Sequence, residues 1–108
     1  MTKTRLERLK GLLKENPEDS FLIFAIAKEY EKQGDEAQAL EHYLKLRKQD
    51  PDYVGTYYHL GKAYERRGDP ERASEVYEAG MEAARRAGDQ HALSELAGAK
   101  LNLGGEEG

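Results

Sequence analysis

Residues 57–77 read YYHLGKAYERRGDPERASEVY, and this stretch decides the fold. Its apolar and small residues, Tyr57, Leu60, Gly61, Tyr64, Ala73 and Tyr77, recur at three and four, the period of an α-helix face. Gly68-Asp69-Pro70 interrupts that period with a helix stop, a cap and a first-turn proline in succession. The stretch is therefore two helices joined by a tight turn. It also has an echo 34 residues earlier. Pro17, Lys28, Tyr30, Glu31, Gly34, Asp35, Ala39, Glu41 and Tyr43 fall on Pro51, Lys62, Tyr64, Glu65, Gly68, Asp69, Ala73, Glu75 and Tyr77. A repeat of this length signals stacked helical units, which present surface to a partner rather than enclose a reaction.

Working outward, the helical period continues to both ends. Leu6, Leu9, Leu12 and Leu13 form a stripe, with Thr4 and Glu7 spaced as a capping box at its start. After Asn16-Pro17, a second helix from about Asp19 to Gln33 shows Leu22, Ile23, Ile26, Ala27 and Tyr30. Gly34-Asp35 stops it and caps a third, with Ala39, Leu40, Tyr43, Leu44 and Leu46, ending near Asp50-Pro51. The fifth helix runs from Glu71 to about Ala87, with Glu82 and Arg86 spaced for an i,i+4 attraction. Gly88-Asp89 repeats the stop and cap before a sixth helix, about Gln90 to Leu101. The tail from Gly104 to Gly108 reads as disordered. Strand signals are weak throughout.

These residues resemble the tetratricopeptide repeat family. One unit reads Tyr57-x2-Leu60-Gly61-x2-Tyr64, then Ala73-x3-Tyr77; the other reads Ile23-x2-Ile26-Ala27-x2-Tyr30, then Ala39-x3-Tyr43, then Pro51. The family pattern has Trp, Leu, Gly, Tyr, Ala, Phe and Pro at these places. Tyr57 and Ile23 stand for Trp, Ala27 for one Gly, and Tyr for Phe. Arg85 stands where the second unit calls for Pro, so its second helix is expected to run longer. Leu6, Glu7, Leu12, Lys14 and Pro17 align with Leu40, Glu41, Leu46, Lys48 and Pro51, so the first helix reads as the second half of a unit. His91, Ser94, Glu95 and Gly98 occupy the signature positions after the second unit, so the last helix reads as a cap.

The resemblance implies an all-α, right-handed superhelical stack of antiparallel helix pairs, about six helices in one domain of residues 1–108. Its parts are a leading half-repeat at 4–16, repeats at 20–53 and 54–87, a capping helix at 89–102 and a disordered tail at 103–108. Within each pair, Ala27 or Gly61 is expected to be small because Ala39 or Ala73 approaches it, and the tyrosines fill the wider gaps.

Composition narrows the function. The net charge of −4 disfavours non-specific nucleic-acid binding, which needs clustered cations. With no cysteine, thiol catalysis and thiolate metal sites are excluded. Met1 to Leu6 hold no apolar run for a signal peptide or membrane span, which points to the cytoplasm. His42, His59 and His91 are far apart and none has Asp, Glu or His at a metal-ligand spacing that forms a known motif, and no glycine loop has the form of a phosphate cradle. The expectation is a non-enzymatic module without metal or cofactor.

In the family, the first helix of each pair lines a concave surface. Carried over residue by residue, that surface takes Phe21, Phe24, Ala25, Lys28, Glu31 and Lys32 from one unit and Gly55, Tyr58, His59, Lys62, Glu65 and Arg66 from the other. A basic ridge of Lys28, Lys32, Lys62 and Arg66 beside an aromatic shelf of Phe21, Phe24 and Tyr58 suits a protein segment bearing carboxylates and apolar anchors. The competing reading has Glu31 and Glu65 neutralising the lysines, and Phe21 and Phe24 packing on Leu9 and Leu13. The family's carboxylate clamp for chaperone tails is absent, since Phe24, Lys28, His59, Asp89 and Leu93 stand at its positions and only Lys28 is basic. The alternative function is self-association through the stack ends, at Leu9, Leu13, Leu96 or Leu101, giving a homo-oligomer.

Overall fold

The computed structural model describes residues 3–105. Among these residues there are six helices and no strand: α1 (Arg5–Glu15), α2 (Ser20–Lys32), α3 (Glu36–Gln49), α4 (Gly55–Arg66), α5 (Pro70–Ala87) and α6 (Gln90–Gly105). This is an all-α helical-repeat fold. Packing groups the helices into two units, residues 1–50 and 51–108.

The first unit is α1, α2 and α3. Thr4 caps α1 by accepting from the Glu7 amide at 3.1 Å, while Glu7 accepts from the Thr4 amide at 2.9 Å. The Thr4 backbone amide foremost, and then the Thr4 hydroxyl, hold the Glu7 carboxyl below its ordinary range. Asp19 caps α2 through the Leu22 amide. Ile23, Ile26 and Ala27 of α2 are completely buried, as are Ala39, Tyr43 and Leu46 of α3. Ser20 donates its hydroxyl to Asp50, tying the start of α2 to the end of α3.

The turn between α2 and α3 shows how local chemistry writes the repeat. Gly34 takes φ of +83°, a left-handed conformation that costs glycine little. Its amide bonds Glu31 O at 3.1 Å, and the Asp35 amide bonds Tyr30 O at 2.9 Å, which satisfies two carbonyls at the helix end. Asp35 then caps α3 through the Gln38 amide at 3.2 Å. Gly68-Asp69 and Gly88-Asp89 make the same bonds in the second unit, onto Glu65 and Tyr64 and onto Arg85 and Ala84. Asp69 and Asp89 cap α5 and α6 in the same way.

The second unit is α4, α5 and α6, with Tyr57, Leu60, Ala73, Val76, Tyr77, Ala84 and Leu96 at its centre. The close approach at Gly61 comes from Tyr77 rather than from Ala73. A Cβ built there would lie 2.1 Å from Cε1 of the Tyr77 ring. Gly80 is under similar pressure, since a Cβ would lie 2.4 Å from Cβ of Tyr57. As expected from Arg85 standing in place of proline, α5 runs to 18 residues where α3 has 14.

Other expectations are corrected. Glu82 pairs with Arg85 at 2.7 Å, one residue short of Arg86, because Arg86 is drawn to Asp52 at 3.0 Å. Leu9 and Leu96 are buried and cannot serve as exposed ends, whereas Leu12 is 50% exposed and Leu101 75% exposed. Helix α6 continues through Gly105, past the expected end at 102. Glu106 to Gly108, the rest of the tail expected to be disordered, lie outside the described residues.

Candidate partner-binding surface

In the first unit, α2 brings Phe21, Phe24, Lys28 and Lys32 to one cleft of about 480 Å³. Their spacing of three, four and four puts them on one helix face. Phe21 is 61% exposed, so it does not pack away on α1. Phe24 is half-buried and meets the Tyr43 ring edge-on, with centroids 6.2 Å apart. The Lys28 ammonium lies over the Phe24 ring, 5.6 Å from its centroid. Lys28 and Lys32 have no ion-pair partner among the described residues.

The carboxylates beside them are engaged elsewhere. Glu29 pairs with Arg5 at 3.2 Å, and Glu31 accepts from the Tyr43 hydroxyl at 2.7 Å. Arg5 and Glu29 also line the cleft, and sequence reasoning missed both. A signal was present for Arg5: it falls 34 residues before Ala39, so a long cation occupies a small-residue position.

In the second unit, α4 brings Tyr58, His59 and Lys62 together. The Tyr58 and His59 rings meet edge-on at 5.8 Å, and the Lys62 ammonium lies 5.4 Å from the Tyr58 centroid. Here the repeat breaks. Lys62 lies 3.5 Å from Glu65, which also accepts from the Tyr77 hydroxyl. The Lys62 charge is therefore neutralised within its own helix. Arg66 is exposed at the end of α4. Burial, then the hydrogen bond and charge of Glu65, push the Tyr77 phenol far above its ordinary value.

Lys28 and Lys62 thus have a local reason to recur: each covers a ring one helical turn earlier. Glu31 and Glu65 recur because each receives a tyrosine hydroxyl from the next helix. Among the described residues, no three His, Cys, Asp or Glu side chains gather as a metal site, and no helix is long and apolar enough to cross a membrane.

Family comparison agrees with this architecture. The profile described as TPR repeat matches residues 27–68, and the one described as tetratricopeptide repeat matches residues 54–86. Together they span more than half of the chain. The chain belongs to the tetratricopeptide repeat family. A tetratricopeptide repeat domain protein from Salinibacter ruber, solved by NMR, is 48% identical over 82% of this chain and 90% of its own, with a TM-score of 0.79. A crystal structure of a tetratricopeptide repeat domain protein from the same organism shows 47% identity over 81% and 97%, with a TM-score of 0.78. The solution structure of a protein from Bordetella parapertussis is 29% identical over 98% and 92%, with a TM-score of 0.83. No match was found among curated proteins. Tetratricopeptide repeats generally mediate protein–protein interaction and are typically non-catalytic.

Proposed function

We propose that this protein is a non-enzymatic interaction module whose α2 cleft captures a partner segment carrying carboxylates and at least one apolar anchor. The observation that carries the reading is the pair Lys28 and Lys32. Both lack an ion-pair partner among the described residues, while the adjacent Glu29 and Glu31 are taken up by Arg5 and Tyr43. Phe21 and Phe24 supply the apolar contact one to three turns before them on the same helix. Charge-assisted bonds to a carboxylate and burial of a ring together suit a short segment held with micromolar affinity, about −8 kcal/mol. On α4, Tyr58 and His59 offer ring contact to a partner. Lys62, already paired with Glu65, contributes least.

The test is selection from a random peptide library, followed by calorimetry with the selected peptides. Selected sequences should combine Asp or Glu with an aromatic or aliphatic residue. Lys28→Glu with Lys32→Glu should weaken binding about tenfold or more, and Phe24→Ala should do likewise, whereas Lys62→Glu should have a smaller effect. Peptides without acidic residues, or equal affinity for the double variant, would remove the basic cleft as the binding site.

A further inference from the structure

A second surface lies on α5 and α6, far in sequence from the α2 cleft. Met81, Ala97, Lys100 and Leu101 line a cleft of about 310 Å³. Leu101, at 75% exposed, is the most exposed large apolar side chain among the described residues. Helix α5 carries a row of carboxylates, of which Glu82 is paired with Arg85. Glu71, Glu75, Glu78 and Glu82 recur along α5 at four, three and four, all exposed. Lys100, the one cation lining the cleft among the described residues, is neutralised by Glu78 at 2.6 Å. Glu71 and Glu75 have no ion-pair partner among the described residues.

The chain itself carries a complementary helix. On α1, Leu12 is 50% exposed, and Arg8, one turn before it, is an exposed cation with no ion-pair partner among the described residues. Within α1 there are four cations, Arg5, Arg8, Lys10 and Lys14, against two carboxylates, Glu7 and Glu15. Register adds a separate argument. Leu12 corresponds to Leu46, 34 residues on, which is completely buried in α3. The position is one that a helix of this sequence pattern covers, and on α1 it is left half open.

We infer that α1 of a second copy docks into the α5–α6 cleft, with Leu12 seated beside Leu101 and Met81 and Arg8 facing the acidic edge of α5. The contact joins two different surfaces, so each copy offers α1 to one neighbour and the α5–α6 cleft to α1 of another copy. With one leucine from each side at its centre, the interface is small and the association weak.

Sedimentation velocity of the full chain, from micromolar to low millimolar concentration, tests this. The weight-average sedimentation coefficient should rise with concentration and fall back on adding salt. Leu12→Asp and Leu101→Asp, both at exposed positions and checked for unchanged helicity, should each weaken association about tenfold or more. Mixing the two variants is decisive. Each retains one good surface, so the equimolar mixture should form a one-to-one heterodimer and stop there. A wild type that stays monomeric throughout overturns the inference and leaves the cleft to a different protein. So do variants that associate like wild type, and so does a mixture that stays monomeric while wild type associates, since that outcome requires a symmetric interface.

Discussion

The hydroxyl of Tyr43 donates to the carboxylate of Glu31 across 2.7 Å, and 34 residues on, Tyr77 donates to Glu65. Each pair ties the second helix of a repeat to the first. Tyr43 and Tyr77 are completely buried, so each ring fills the core while its oxygen reaches a carboxylate at the edge. The tie is the same in both repeats, yet the lysines beside it differ. Glu65 sits between Tyr77 and Lys62, whereas Glu31 is held by Tyr43 without meeting Lys28.

Tyr77 should make the protein sensitive to alkali. Its phenol is pushed up by burial and then by Glu65, so the folded state holds the proton more tightly than the unfolded chain does. That contribution is fully present below the unfolded tyrosine value of about 10 and is lost as pH rises above it. The thermal midpoint should hold from neutral pH to about 10 and then fall. Tyr77→Phe should cost about 1–2 kcal/mol at neutral pH and flatten the alkaline fall. Circular dichroism melts against pH, with tyrosinate absorbance recorded alongside, provide the check; an alkaline limb unchanged in Tyr77→Phe would assign it to other tyrosines.

The glycines separate packing from propensity. Gly61→Ala forces a methyl against the Tyr77 ring and should cost about 1–3 kcal/mol. Gly80→Ala, against Tyr57, should behave alike. Gly98 lies within α6 with nothing inside 4 Å of a built Cβ, so Gly98→Ala should instead stabilise by about 0.5–1 kcal/mol. Urea denaturation of the three variants should give two losses and one gain.

Thr56 is buried to 0% exposure, and its hydroxyl has no hydrogen-bond partner among the described residues. A buried polar group without a partner keeps its desolvation cost. Thr56→Val preserves the branched shape and removes the oxygen, so it should be neutral or stabilising by about 1 kcal/mol. A loss of that size in chemical denaturation would mean that the hydroxyl has a partner, such as water, in solution.

Helix boundaries were legible in the sequence because the interactions that set them close within a few residues. Thr4 with Glu7, Asp35 with Gln38, and the left-handed Gly34, Gly68 and Gly88 need no distant neighbour. The 34-residue echo carried the same local rules along the chain, and the family resemblance placed Phe21, Phe24, Lys28 and Lys32 on one face of α2. The longer α5 was legible too, since no proline stops it at Arg85.

Tertiary structure decided what depends on side chains meeting through space. Gly61 faces the Tyr77 ring rather than Ala73, because a long aromatic on the next helix reaches further than a methyl. Arg86 leaves Glu82 for Asp52, a carboxylate 34 residues away. Leu9 turns inward and Leu12 outward on one leucine stripe, because α1 presents only one side to its unit. Lys28 and Lys62 are identical in the repeat, yet Lys62 is neutralised by Glu65 and Lys28 has no carboxylate partner among the described residues. Periodicity places a residue on a face, but its charge is open or spent according to which rotamers its neighbours adopt, and only the packed structure sets those.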